Sequence, residues 1–368
     1  MAQILNILER VDQFGPANLN HFKLEAGEQI DLKIVLENEH ISLYCIDHSA
    51  QRLIFTDLPA DVDLTTVPFV YAAQKEKATR LIALSYEEVF ALTQDIHLPE
   101  QIILIYSTGR AGSTLMSQIL SEVDNVVSHS EPDVFLNLVP IIYHTEERTA
   151  HNSLVEACFK LWGYHHRDKT LAIKFRGECI DSADVFQQVL PQAKNLYLYR
   201  QTIQWASSWK RIWSNFGVDQ ALPVDQATFY GDLFNGRNTT LEWVANGAKM
   251  VTIPEMLMSL WLFYLEAYYR MVDLDIPFMA VRYQDLNQHR DVMLTKVFEY
   301  VGLPLSELES ALQGFDRDSQ AGTLLERKDD RGNTETVLDE EVESIKAILA
   351  RHSLQLTPDT ILPNTVNP

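Results

Sequence analysis

From residue 101 onward the chain alternates between short unbroken apolar runs and longer stretches whose apolar residues recur every three or four positions. Ile102-Ile-Leu-Ile-Tyr106 is the first such run. Its continuity predicts a strand buried on both faces of a parallel sheet. Leu171–Phe175, which includes Lys174, with Leu196–Tyr199 and Phe278–Val281, predict three more buried strands. Leu115, Met116, Ile119, Leu120 and Val123 mark one face of a helix, and Ala183–Leu190 predicts another. Strands alternating with helices predict an α/β fold, a parallel sheet covered by helices on both faces.

Residues 1–97 read differently. Leu32–Leu36, Ile41–Ile46 and Arg52–Thr56 are short β-rich runs between polar turns, and Tyr86–Thr93 has helical spacing. They predict a small α+β domain over 1–97, with Pro99 marking the break before an α/β domain over 98–368. Ser214–Thr252 is rich in Gly, Asn and aromatic residues with poor periodicity, which predicts a lid. Met256–Leu265 is uncharged but far shorter than the roughly 20 residues a membrane helix needs, so it predicts a buried helix.

A chain of 368 residues suggests about two domains, and 46% hydrophobic with 22% charged residues is ordinary globular composition. Thirty Lys and Arg against 51 Asp and Glu leave a net charge of −21. Such a surface repels nucleic acid and anionic lipid, so neither is an expected partner, and a polyanionic ligand needs a local basic site. Three scattered cysteines without a Cys-x-x-Cys, and an N-terminus without a basic region before a long apolar stretch, predict a cytoplasmic protein. Oligomeric state is not legible in the sequence.

The candidate chemistry starts at Ser107-Thr-Gly-Arg-Ala-Gly-Ser-Thr114, between the first apolar strand and its helix. A glycine turn opening a helix makes an anion site, because first-turn N–H groups lack partners and the helix dipole is positive there. Gly109 and Gly112 permit close backbone approach, Arg110 adds a charge, and Ser113 and Thr114 add hydroxyls. It is not a Walker A sequence, which needs a lysine immediately before the hydroxyl residue.

The same segment resembles the 5′-phosphosulfate loop of sulfotransferases, enzymes that use 3′-phosphoadenosine 5′-phosphosulfate (PAPS). Val185–Arg200 looks like the helix and strand ending at that family's 3′-phosphate arginine. Ser208, eight residues on, has the spacing of the family's Arg and Ser pair. Val281-Arg-Tyr-Gln-Asp-Leu286, followed by Val297-Phe-Glu-Tyr-Val-Gly-Leu-Pro304, resembles a further strand and helix. The resemblance covers about residues 101–305 and implies a P-loop-like sheet. Thr202 stands where the family often has Pro, Arg110 where cytosolic members have Lys, and Arg327-Lys328 matches the C-terminal nucleotide loop only loosely.

The resemblance implies that Thr108, Gly109, Arg110, Ala111, Gly112, Ser113 and Thr114 bind the phosphosulfate. Arg200, Ser208, Arg327 and Lys328 would then bind the nucleotide. Sulfuryl transfer places charge on the leaving oxygen, so positioning and electrostatics dominate, as in phosphoryl transfer. Arg110 is the expected leaving-group stabiliser, and Lys174 matches a family lysine. The base of cytosolic members is a histidine, and that position here is Arg176, which cannot serve. Glu131, in Ser128-His-Ser-Glu-Pro132, matches the glutamate base of other members, and His129 is the alternative. No metal is expected, since His165-His166 has no partner at ligand spacing. Trp205, Trp209 and Trp213 share one helix face and predict packing. The expected reaction moves sulfuryl from PAPS to a hydroxyl or amine of a small-molecule acceptor, such as a natural product, leaving adenosine 3′,5′-bisphosphate. The competing expectations are a P-loop kinase, which would need magnesium, and a catalytically silent nucleotide-binding scaffold.

Overall fold

The computed structural model describes residues 1–12, 15–215, 217–218, 220–228, 239–319 and 337–368. By internal contacts the described chain divides into two units, 1–105 with 117–194, and 106–116 with 195–368.

The first unit begins with an antiparallel sheet of β1 (Ala2–Arg10), β2 (Phe22–Ile30), β3 (Ile41–Asp47), β4 (Arg52–Asp57) and β5 (Arg80–Ser85), in the order β2-β1-β5-β4-β3. Leu5, Phe22, Tyr44, Ile54 and Leu81 form its core. The expected strand Leu32–Leu36 is instead a single helical turn, α1 (Ile34–Glu37). The Asp31 carboxylate accepts the Lys33 N–H at 3.0 Å and turns the chain just ahead of it, as Asp commonly does. A second helix, α2 (Val70–Lys77), precedes β5, and α3 (Tyr86–Thr93) follows it. Ser85 and Glu88 cap α3 reciprocally, the arrangement that fixes a helix start.

A second sheet holds β6 (Ile102–Ser107), β7 (Val126–Ser130), β8 (Thr170–Lys174), β9 (Lys194–Tyr199) and, after the two-residue strands β10 (Leu222–Pro223) and β11 (Met250–Val251), β12 (Phe278–Arg282). Its order is β12-β9-β6-β8-β7. The β6/β8, β7/β8 and β9/β12 ladders are parallel, so the fold is the α/β parallel sheet expected, joined by an antiparallel sheet region. Every residue of β6 is buried, as its unbroken apolar run requires. Helices α4 (Ser113–Ser121), α5 (Val134–Tyr143), α6 (Asn152–Gly163), α7 (Ala183–Val189) and α8 (Thr202–Asn215) connect the strands.

In the second unit, the expected buried helix at Met256–Leu265 is the middle of a longer one, Ile253–Asp273, capped by Thr252 and Glu255. The C-terminal tail lies beside β12. Ala280 N–H donates to the Asn364 carbonyl, and Val366 N–H donates to the Ala280 carbonyl, both at 3.0 Å. Tyr199 and Tyr268 hydroxyls anchor the tail at Thr365 (2.9 Å) and Pro363 (2.8 Å). Arg282 forks onto Asp285 at 2.7 and 2.8 Å, which locks the turn from β12 into the next helix. The expected lid over 214–252 falls partly outside the described residues. No described helix is long and apolar enough to cross a membrane.

Candidate active site

In the second unit, the turn after β6 has the backbone its glycines anticipate. Gly109 (φ 65°) and Gly112 (φ 82°) are left-handed, and so is Arg110 (φ 51°), which carries a Cβ and therefore strain. The Ser107 hydroxyl donates to Ser113 Oγ at 3.1 Å and accepts the Gly109 N–H at 3.2 Å. These bonds close the turn across the first residue of α4. Thr108 and Ala111 are fully buried, Ser113 is buried, and Thr114 is half-buried.

Helix α8 fixes the turn from one side. Buried Trp205 donates its indole N–H to both the Thr108 carbonyl (2.9 Å) and the Gly109 carbonyl (3.0 Å). Two acceptors of the turn are thus engaged by protein, which suits a turn that offers N–H groups to an anion. Trp209 lies against Gly109, where a Cβ would come within 3.3 Å of its ring. The tryptophan spacing read as packing therefore also carries hydrogen bonds, a role the periodicity alone does not reveal. Arg110 Nε donates to Ser208 Oγ at 3.1 Å, which brings together two of the predicted binding residues.

Arg200 follows β9, with its guanidinium 4.9 Å from the centre of the Tyr283 ring. That ring lies directly at Gly112, where a Cβ would stand 2.5 Å from Tyr283 Cδ2. Gly112, Tyr283 and Arg200 thus form one stack. The Arg-Tyr-Gln-Asp segment was recognisable in the sequence, but the contact of its tyrosine with the glycine turn was not. Arg327 and Lys328 lie outside the described residues.

In the first unit, β7 and β8 place Ser130 opposite Lys174 in parallel register. Glu131 follows directly, with φ 57°, another left-handed residue with a Cβ. Its N–H donates to the Lys174 carbonyl at 2.7 Å, and its carbonyl accepts the Tyr71 N–H at 3.3 Å. Its carboxylate is ion-paired with the Lys174 ammonium, so the two predicted residues meet. Lys174 is almost wholly buried, its ammonium 5.9 Å from the centre of the Phe69 ring.

Two residues without a predicted role complete this cluster. Arg176 Nε lies 2.9 Å from Asp133 Oδ1 and 3.7 Å from Glu131 Oε2. Its guanidinium sits 4.2 Å from the centre of the Tyr71 ring. The acids around it, Asp133 first, hold Arg176 above its already high pKa against the desolvation that opposes them. Burial pushes the Asp133 carboxyl up to about 6, while Arg176 and the Ala17 N–H oppose that rise.

His129 is elsewhere in its surroundings. Its ring packs against Trp162 and His166, at centroid distances of 5.2 and 5.4 Å. Burial, aided by His166, lowers its pKa to about 3. Among the described residues no group of three or more His, Cys, Asp or Glu is placed to hold a metal.

No protein-family model and no curated protein matches the chain. Similar solved structures are sulfotransferases. A sulfotransferase domain from the curacin biosynthetic pathway is 14% identical, with a TM-score of 0.39, over 62% of this chain and 82% of that one. One from the Synechococcus PCC 7002 olefin synthase is 16% identical, with a TM-score of 0.37, over 61% and 80%. A Mycobacterium avium sulfotransferase is 12% identical, with a TM-score of 0.39, over 72% and 81%. These likenesses are shallow, and the functional reading rests on the residues themselves.

Proposed function

We propose that the protein is a PAPS-dependent sulfotransferase acting on a hydroxyl or amine of a small-molecule acceptor. The observation that carries the reading is the turn 107–114: left-handed backbone at 109, 110 and 112, two carbonyls engaged by Trp205, and Arg110 hydrogen-bonded to Ser208. That arrangement offers N–H groups, a guanidinium and hydroxyls to an anion, on a protein whose net charge is −21.

In this reading the turn and the start of α4 bind the phosphosulfate of the substrate, and Arg200 with Ser208 binds its 3′-phosphate. Arg110 and Lys174 stabilise charge on the transferring group and on the leaving phosphate oxygen. Glu131 takes the acceptor's proton as the new S–O or S–N bond forms. It is preferred over His129, whose burial makes it a weak base at neutral pH. The cations supply the charge stabilisation that a metal supplies in kinases.

The test is calorimetric binding of adenosine 3′,5′-bisphosphate without magnesium, beside ATP and the Arg200→Ala variant. Micromolar binding that exceeds ATP and collapses in the variant is expected. Absence of binding, or a magnesium-dependent preference for ATP, would overturn the reading in favour of a scaffold or a kinase.

A further inference from the structure

The charged cluster of the first unit holds more groups than the reaction uses. Lys174 and Glu131 have roles, whereas Arg176 and Asp133 have none. Arg176 is nevertheless close enough to matter, 3.7 Å from Glu131 and 2.9 Å from Asp133. The Asp133 side chain is wholly buried. Its second oxygen, Oδ2, accepts the Ala17 N–H at 2.9 Å. The Ala17 carbonyl accepts from Asn137 Nδ2 at 3.1 Å, and Asn137 Oδ1 accepts the Ile46 N–H at 3.0 Å. Tyr71 adds its ring beneath Arg176 and its N–H to the Glu131 carbonyl. Two separate segments of the first 97 residues, at Ala17 and Tyr71, thus hold the turn that carries Glu131, and a third, at Ile46, holds the helix that follows it.

We propose that Asp133 is a positioning residue: it engages Arg176 at 2.9 Å and keeps that cation at 3.7 Å from Glu131 instead of at hydrogen-bond distance, so that the carboxylate can take the acceptor's proton. This rests on the sulfotransfer reading, and it gives residues 1–97 a part in the reaction through Ala17 and Tyr71. A second cation moved from 3.7 Å to hydrogen-bond distance would further favour the charged carboxylate over its protonated form. A weaker base transfers the proton more slowly.

The groups facing this cluster leave few others able to change its charge. Asp133 is faced by Tyr44 and Cys45 of β3, by Tyr71, Glu131 and Arg176, and by Glu178 and Cys179 beyond β8. Burial pushes Tyr44, Cys45, Tyr71 and Cys179 upward, so they are neutral at ordinary pH. His21, near Arg176, is lowered to about 4 by burial and is neutral as well. Glu131 is faced by Lys174, Arg176, Asp133, Tyr71 and Cys179. Asp133 itself, raised by burial to about 6, is ionised at neutral pH and can hold Arg176.

The experiment needs no identified acceptor. Sulfate release from PAPS is followed against pH with water as acceptor. Water oxygen bonds to sulfur, the bond from sulfur to the phosphate oxygen breaks with its electrons going to adenosine 3′,5′-bisphosphate, and a water proton passes to Glu131. The wild type is compared with Asp133→Asn and with the double variant Asp133→Asn/Arg176→Met. Calorimetric affinity for the bisphosphate is measured alongside.

In Asp133→Asn the acid limb should move about one unit to lower pH and the plateau should fall about tenfold, as Arg176 turns to Glu131. Bisphosphate affinity should stay within about twofold, since Asp133 has no nucleotide-binding role in the proposed function. Removing Arg176 as well should return the limb and most of the rate, a rescue that a merely structural Asp133 would not give. An unmoved limb in the single variant, or a double variant no better than the single, overturns the proposal. If Asp133→Asn does not fold, the double variant decides, because a downward-shifted limb there would also overturn it. A wild type that neither binds the bisphosphate nor releases sulfate would instead sink the sulfotransfer reading itself.

Discussion

Gly112→Ala tests whether the glycine turn is built for a ligand through Tyr283 and Arg200. The added Cβ would stand 2.5 Å from Cδ2 and 2.8 Å from Cε2 of Tyr283. Those atoms belong to the ring beneath the Arg200 guanidinium. Two costs separate. The left-handed φ of 82° costs an alanine about 1–2 kcal/mol whatever the space around it. Turning the Tyr283 ring aside adds about 0.5–1.5 kcal/mol of rotamer strain, and loosening its contact with Arg200 adds about 0.5–1 kcal/mol. Only the second group reaches the ligand through Arg200. If that group is felt on binding, affinity for adenosine 3′,5′-bisphosphate should fall about tenfold, equivalent to about 1.4 kcal/mol. Calorimetric titration of wild type, Gly112→Ala, Tyr283→Ala and the double variant separates the parts. With the ring gone, adding the alanine should lose little further affinity, so the two changes should be non-additive by about 1 kcal/mol. Gly112→Ala binding within twofold of wild type, or strictly additive losses, would refute the coupling between turn, ring and arginine.

Glu131→Gln should abolish turnover while leaving bisphosphate affinity nearly intact, and a steady-state assay beside calorimetry checks both; near wild-type turnover would remove Glu131 as the base. Trp205→Phe keeps the ring but removes the N–H shared by the Thr108 and Gly109 carbonyls. Chemical denaturation should show a loss of about 1–3 kcal/mol, with weaker bisphosphate binding. His129 should set part of the acid sensitivity of the fold. Its folded pKa is depressed to about 3, while the unfolded chain protonates near 6.5. The unfolded state therefore binds the extra proton as pH falls from about 6.5 to 3, and stability drops across that window by up to about 1.4 kcal/mol per pH unit. Urea denaturation of His129→Phe should show a flatter acid slope, and an unchanged slope would contradict the assignment.

The parallel sheet was legible because β6, β8, β9 and β12 are each built on a short apolar run, and α3 because of its helical spacing. The sequence was less informative about β7. Val126-Val-Ser-His-Ser130 is wholly buried, yet it carries three polar residues, one of which is satisfied by the bond from Ser128 to Ser117 at 2.8 Å. Polarity concealed a strand whose every residue is buried. β1 and β2 escaped for another reason: the second half of β1 is exposed and polar, only Phe22 of β2 is buried, and β1 also pairs with β5, about 75–80 residues away. At the candidate site, the resemblance to sulfotransferases pointed to Arg110, Ser208, Lys174 and Glu131, and the structure brings the first two together and the last two together. Tyr283 and Asp133 could not be found that way. Their importance lies in what they touch, Gly112 for one and Arg176 for the other, and no local pattern encodes those contacts.

Backbone strain links the two halves of the reading. Arg110 and Glu131 are the residues expected to stabilise the leaving group and to take the proton, and both hold left-handed φ values. Glycine would hold such angles without the penalty of about 1–2 kcal/mol that a Cβ brings. Strain of this kind persists only where the surroundings over-determine it. For Glu131 the determinants are visible: the Lys174 carbonyl and Tyr71 N–H fix its backbone, and the Lys174 ammonium fixes its carboxylate. For Arg110 they are the left-handed Gly109 before it, the Trp205 bonds to the preceding carbonyls, and Ser208 on its side chain. Each neighbour holds a charged side chain in a place the backbone alone would not choose. Gln51, Asn246, Asp275, Gln355 and Asn364 hold similar angles, so the angle by itself does not mark a functional residue; what distinguishes Arg110 and Glu131 is that their charged side chains are also fixed, by Ser208 and by Lys174.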